Sequence, residues 1–349
     1  MPTDSTLIRL GGWRKLAAGS GGIEGCSLVV ATYERPAELS ALLATVRDLP
    51  DVPMEVVVID GSVNDFTNDA VAAWAAATDL PYDLAYVRSP AGLTRQRNVG
   101  IDASSGSVVF FLDDDCSPQP GYFRAIHDVF AADTEGRIGA VSGLVINEIA
   151  KPLSVRWRLR LALGLVPRPH EPERYYPTAT SVPRCLVDPF DGVRGVDVMP
   201  GCSMAFRRAV LERHRFSNFF YGYSQGEDLE MSLRVGSEYE ILCCGDARVI
   251  HDHAPGGRPA SAQKGRMEVR NRYFIWKRHS ADARFADRVR FWGDIAYITM
   301  YNVATFVARP LSLAPLAHAA GCIRGAVECL ITPPRYTEPT ARREYDVTF

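Results

Sequence analysis

The chain contains no Cys-x-x-Cys pair. Its eight cysteines stand at positions 26, 116, 185, 202, 243, 244, 322 and 329, a spacing that argues against a zinc ribbon. Neither charge is in excess: 39 basic side chains face 41 acidic ones, for a formal net charge of -2. The overall basic footprint of a nucleic-acid-binding protein is therefore missing, and no nucleic-acid partner is expected. The longest nearly uncharged run, residues 295–308 between Asp294 and Arg309, falls short of the roughly 20 apolar residues that a membrane span requires. The N-terminus lacks a basic stretch followed by an apolar one, so no secretory signal is read and a reduced, cytoplasmic compartment is expected. No internal repeat is visible. With 47% hydrophobic and 23% charged residues in 349, disorder, collagen and coiled coil are poor descriptions, and the length suits one large domain or two modest ones.

What is present is an alternation of short apolar runs with helical patterns. Residues 27–32 (SLVVAT), 55–60 (EVVVID), 84–88 and 107–112 (SVVFFL) read as strands. Between them, Leu39, Leu42, Leu43 and Val46 recur at helical spacing after Pro36, a residue suited to a helix's first turn. Residues 69–77 and 94–103 supply two more helices. Uninterrupted apolar strands alternating with helices imply a mostly parallel sheet covered on both faces. Residues 1–25, Gly-rich and aperiodic, read as an extension. Further on, residues 138–146, 198–206 and 239–250 read as strands. Residues 153–165, 227–235 and 263–278 read as helices, and 166–196 as a long Pro- and Arg-rich loop. The tail carries two apolar segments split by Arg309-Pro310.

Polar residues close the apolar strands. The FFL strand ends in Asp113-Asp114-Asp115; ligands bind at the carboxyl ends of strands in open α/β sheets, and residues i and i+2 share one side of a strand. Asp113 and Asp115 can thus converge on one cation, Mg²⁺ or Mn²⁺, although a solvated acidic turn fits the residues equally well. Asp60 ends the EVVVID strand, either entering the same crevice or making an Asx-turn with Gly61-Ser62. Arg95 and Arg97 fall near a helix start, where cations oppose the macrodipole unless an anion is close. Glu227 and Asp228 open another helix, as ordinary first-turn acids or as a general base with its neighbour. His251 and His253 follow a further strand and precede Pro255-Gly256-Gly257, a loop expected to close over a ligand.

The order of these pieces carries more than any one of them. Strand–T-x-E-R-P, strand–D-G-S, R-Q-R-N-x-G, strand–D-D-D, G-E-D and strand–H succeed one another over residues 26–279. In that combination the chain resembles the family-2 glycosyltransferases of the GT-A fold, the nucleotide-diphospho-sugar transferase fold. The resemblance implies a GT-A domain over 26–279, with residues 280–349 as an apolar helical C-terminal extension. It implies that Thr32 and Glu34 line the nucleotide base pocket and that Asp60 lies near the base or ribose. Arg95 or Arg97 would lie beside the nucleotide or its acidic neighbours. Asp113 would meet the ribose or metal, with Asp114 of ambiguous register, and Asp115, in the DXD motif, would hold Mg²⁺ or Mn²⁺. His251, or failing it His253, would contact metal or diphosphate. Asp228 matches the catalytic base and Glu227 its acidic neighbour. Glu34 departs from the pattern, standing where Asn is frequent.

The activity so implied is inverting, metal-dependent transfer from a nucleotide sugar to a saccharide or lipid-linked acceptor, in the making of a polysaccharide or glycolipid. The segment between Asn147 and Val196 is a candidate part of the acceptor site. Arg156, Arg158 and Arg160, the basic helix from Gln263 to His279 and the apolar tail suggest peripheral contact with the cytoplasmic face of a membrane; a helix packed on the domain with solvated arginines and a solvated basic face fit the first two as well, and core packing or a dimer contact fits the tail. A sugar-phosphate nucleotidyltransferase ranks lower, because its glycine-rich phosphate loop is replaced by T-Y-E-R-P; a non-catalytic GT-A-like scaffold is the third reading.

Overall fold

The computed structural model describes residues 14–19, 21–220, 224–254 and 259–334. The Pro-Gly-Gly segment expected to close over a ligand lies outside them. The described residues divide into two compact units: 14–148 with 189–254, and 149–188 with 259–334. This differs from the expected single boundary near residue 279, because the second unit takes an internal segment of the chain as well as the tail.

The first unit is built on a sheet whose leading half is parallel. Strands β2 (Ile23–Thr32), β3 (Pro53–Asp60), β4 (Asp83–Arg88) and β5 (Val108–Asp113) alternate with helices α1 (Pro36–Arg47), α2 (Phe66–Ala76) and α3 (Leu93–Ala103). Val29, Val30, Val57 and Val58 are buried on both faces of the sheet, as parallel strands between helical layers require. The helical stripe read from the sequence is the buried face of α1: Leu39, Leu42, Leu43 and Val46. The residues expected as an N-terminal extension are partly in the sheet. Within them, β1 (Arg14–Ala17) pairs antiparallel with β4, and β2 already starts at Ile23.

Beyond β5 come β6 (Cys116–Pro118), α4 (Tyr122–Ala132), β7 (Ile138–Val145), β10 (Val193–Gly195), β11 (Ser203–Arg207), α6 (Arg208–Arg213), α7 (Glu227–Gly236) and β12 (Glu240–His251), the elements between β7 and β10 belonging to the second unit. The strand order is β1-β4-β3-β2-β5-β11-β7-β12-β10, with β6 on β12. β11 inserts antiparallel between β5 and β7, so the sheet is mixed in its second half. The chain winds one way from β2 through β3 to β4 and then returns to place β5 on the other side of β2. That reversal is the switch point at which α/β sheets open a crevice. Register fixes what borders it: Thr32 lies beside Asp60 and Ala31 beside Asp113.

The second unit comprises α5 (Val155–Ala162), the hairpin β8 (Tyr175–Tyr176) and β9 (Thr180–Ser181), and helices α8 (Ser261–His279), α9 (Phe285–Ala308) and α10 (Ala314–Ile331). The hairpin and a short 3-10 turn at Arg184–Leu186 interrupt the expected loop. Trp276 stacks on Phe291 at 4.4 Å in a core with Ile295, Ile298 and Cys322. Two of the three arginines expected to face a membrane are paired with acids of their own unit. Arg160 donates to the fully buried Asp294 (2.7 Å) and Arg156 to Glu268 (3.0 Å). Arg272 supplies the second cation of Asp294, at 2.7 Å. Among the described residues no helix is long and apolar enough to cross a membrane.

Candidate active site

The R-Q-R-N-x-G segment lies in α3, which Gln96, Asn98 and Gly100 seat against its neighbours. A Cβ on Gly100 would lie 2.1 Å from Cγ1 of Val29, so only glycine lets the helix press onto β2. The Gln96 amide donates to the carbonyls of Thr32 and Ile59, at 2.8 and 2.9 Å, tying the helix to the ends of β2 and β3. Asn98 exchanges two hydrogen bonds with the backbone of Phe216. These ties aim Arg97, itself 2% exposed, into the site. Its guanidinium donates to Asp113 (3.1 Å), to Glu227 (3.1 Å) and to the carbonyl of Gly201 (2.7 Å). Arg97 therefore joins the acidic end of β5 to the first turn of α7. Arg95, on the same helix, is half-buried and makes no ion pair among the described residues.

Gly226, in the left-handed region at φ 88, caps α7 and lets the chain turn so that Glu227 and Asp228 open the helix. Asp228 accepts from the backbone N–H of Gly201 at 3.0 Å and from that of Leu229 at 2.8 Å. Gly201 thus holds both Arg97 and Asp228 in place.

On the opposite side stands a second arginine, which the sequence reading passed over. Arg35 of T-x-E-R-P donates to Asp114 (2.9 Å), to Asp115 (3.4 Å) and to the carbonyl of Ala254 (3.1 Å). The signal for it was electrostatic: three acids closing one strand call for a cation at the end of its neighbour. Thr32 donates its hydroxyl to Asp114 at 2.8 Å. Glu34 is exposed, with φ 52, and its N–H reaches the hydroxyl of Ser62 at 2.7 Å, linking the loops after β2 and β3. Asp60 makes the Asx-turn: the Ser62 N–H donates to it at 2.8 Å, and it also accepts from the Tyr86 hydroxyl.

Asp115 completes the group. Its Oδ2 accepts from the Ala254 N–H at 2.8 Å. Its Oδ1 lies 3.3 Å from Nε2 of His251, yet it is buried without a well-aligned hydrogen-bond partner among the described residues. Nδ1 of His251 faces Glu148 at 3.1 Å, and His253 meets the same carboxylate at 3.0 Å. Ligating atoms of Asp113, Asp115 and His251 lie within 4.8 Å of one another; His253 groups instead with Glu148 and His251.

The charge balance is negative. Six carboxylates (Asp113, Asp114, Asp115, Glu148, Glu227 and Asp228) face Arg35, Arg97 and His251. Burial pushes Asp114 up to about 6 against the pull of Arg35 and Thr32. Burial also raises Asp113 against Arg97, and burial with repulsion from Asp228 raises Glu227. Burial works against the His251 proton, but Asp115, Cys202 and Glu148 hold it and push the imidazole up to about 12. Asp115 is instead lowered, since its contacts with His251, Ala254 and Arg35 overcome burial. Such a cluster demands positive charge. An orphaned buried carboxylate oxygen, a second carboxylate and an imidazole make a donor set that fits a hard divalent cation.

Known proteins resemble the chain in the same terms. The family model for Glycosyl transferase family 2 matches residues 27–214. An uncharacterized glycosyltransferase of Bacillus subtilis, YwdF, is 29% identical over 98 residues, 28% of this chain and 35% of that protein. Glycosyltransferase AglE of Haloferax volcanii is 30% identical over 94 residues, 26% of this chain and 31% of that protein. The matches thus span about a third of the length of these curated relatives. Among solved structures, mannosyltransferase PcManGT of Pyrobaculum calidifontis, in complex with GDP-Man and Mn²⁺, superposes with a TM-score of 0.52 at 17% identity over 93% of each chain; at that identity the likeness speaks for the fold.

Proposed function

The chain belongs to glycosyl transferase family 2, a glycosyltransferase with the GT-A fold, and from that premise we propose that it transfers a sugar from a nucleoside-diphosphate donor to an acceptor hydroxyl with inversion. The observation that carries the reading is Arg97, which binds the acids closing β5 and the acids opening α7 into one cluster. Asp113, Asp115 and His251 would hold Mg²⁺ or Mn²⁺, which stabilises the negative charge of the departing nucleoside diphosphate. Thr32, Glu34, Asp60 and Asp114 would border the nucleotide at the ends of β2, β3 and β5, with the half-buried Arg95 of α3 beside it. A UDP, GDP or dTDP donor fits this reading.

Asp228 would take the proton of the acceptor hydroxyl. The N–H groups of Gly201 and Leu229 fix its orientation, and direct displacement with one base inverts the anomeric carbon. Glu227, engaged by Arg97, is a positioning residue in this scheme. Asp228→Asn should lower turnover by about 10²–10⁴-fold while donor affinity, read by the thermal shift with nucleoside diphosphate and Mn²⁺, is retained. Transfer at the unaltered rate would remove Asp228 from the role.

The acceptor we propose is a saccharide or lipid-linked sugar met at a membrane surface, as in building a polysaccharide or glycolipid. Between Asp294 and Glu328 the sequence has no acid, and Arg309 and Arg324 are its only full charges. Val307, Leu311 and Leu313 are exposed there, and Leu330 and Ile331 just beyond it. An apolar surface with sparse cations suits the interface of an anionic bilayer. Flotation with phosphatidylglycerol vesicles should carry the protein, and Leu311→Asp with Leu313→Asp should release it; failure of the unaltered protein to float contradicts attachment.

A further inference from the structure

Two thiols stand behind the proposed metal site, and the proposed reaction gives them no task. Cys116 opens β6 and is paired in register with His251 on β12; Cys202 lies in the turn that leads into β11. They are 2% and 5% exposed. Sγ of Cys116, Sγ of Cys202 and a ring nitrogen of His251 all lie within 4.8 Å of one another. Tetrahedral Zn²⁺, with Zn–S of about 2.3 Å and Zn–N of about 2.0–2.1 Å, places its ligand atoms roughly 3.4–3.8 Å apart. Small side-chain rotations therefore close the set. Oδ1 of Asp115, 3.3 Å from Nε2 of His251 and without an aligned hydrogen bond among the described residues, groups with Asp113 and His251 rather than with the thiols, so it completes the set only by turning toward them.

We propose that Cys116, Cys202, His251 and Asp115 form a site for a thiophilic divalent ion of the Zn²⁺ class, overlapping the hard-cation site and exclusive of it. The chemistry sorts the two ions. Thiolate and imidazole favour Zn²⁺, whereas carboxylates and phosphate oxygens favour Mg²⁺ and Mn²⁺. His251 and Asp115 belong to both sets, so one ion excludes the other. Four protein ligands close the coordination sphere in the manner of structural zinc sites, which leaves no position for a diphosphate oxygen. Zn²⁺ would therefore inhibit. That consequence rests on the proposed roles of Asp115 and His251 in transfer; the binding site itself does not.

Co²⁺ reports the thiolates directly. Titrating Co²⁺ into the reduced full-length chain should produce a near-ultraviolet thiolate-to-cobalt charge-transfer band and tetrahedral d–d bands that saturate at one equivalent and vanish when Zn²⁺ is added. Cys116→Ala and Cys202→Ala should each remove about half of the charge-transfer intensity, and the double variant all of it, while Cys185→Ala leaves it unchanged. Mn²⁺ bound to the unaltered protein, followed by electron paramagnetic resonance, should be released by equimolar Zn²⁺. Absence of the charge-transfer band in the unaltered protein, or its survival in the double variant, overturns the site. Zn²⁺ binding that leaves Mn²⁺ in place overturns the overlap. Because the unaltered protein alone gives two of these readouts, a variant that fails to fold does not spare the proposal, and loss of transfer activity enters none of them.

Discussion

The two units bury carboxylates in opposite ways. At the end of the first unit's sheet, Asp113, Asp114 and Glu227 are pushed up because burial outweighs the arginines they touch. In the second unit, Asp294 sits fully buried between Arg160 and Arg272, each at 2.7 Å. Glu268 lies between Arg156 and His318, each at 3.0 Å, and although burial opposes it, these partners and Arg272 hold it down at about 2. A buried acid with its counter-charges complete holds structure together. A buried acid with too few of them is a candidate site for a cation.

Three substitutions test that contrast, the first expected to have the largest effect. Asp294→Asn leaves Arg160 and Arg272 buried without their common partner, and urea denaturation should show a loss of about 3–5 kcal/mol; a loss below 1 kcal/mol would break the comparison on the structural side. Next, Glu268 has its folded value below its unfolded one, so its contribution is present above about pH 4.5 and is lost as pH falls toward 2. Thermal melts of the unaltered protein should therefore drop across that window by roughly 3 kcal/mol more than those of Glu268→Gln. The smallest effect has the opposite sign. Asp114 is raised, so the protein loses stability as pH climbs from about 4 to about 6 and carries the penalty at neutral pH. Asp114→Asn should therefore be neutral or up to about 2 kcal/mol more stable at pH 7, with the difference disappearing near pH 4. Destabilisation at pH 7 by as much as Asp294→Asn would erase the distinction between the units.

The parallel half of the sheet was legible because its evidence is local. Val29, Val30, Val57 and Val58 form uninterrupted apolar runs, and the α1 stripe recurs at helical spacing. The acids at the strand ends were legible for the same reason. The insertion of β11 between β5 and β7 was not, since strand order depends on pairings between residues about 60 to 100 positions apart. The arginines of α5 read as a basic surface because their partners, Glu268 and Asp294, stand more than 100 residues away. Arg35 and Gly201 escaped notice for a related reason: one is a common loop cation and the other a common turn residue until the acids they serve are seen beside them.

The central claim is that Asp113, Asp115 and His251 take up one divalent cation. Mn²⁺ binding followed by electron paramagnetic resonance on the full-length chain tests it most directly. One Mn²⁺ per chain is expected, lost in Asp115→Asn and retained in Asp60→Asn, whose carboxylate is engaged by Ser62 and Tyr86. Equal Mn²⁺ binding by the unaltered chain and Asp115→Asn would contradict it.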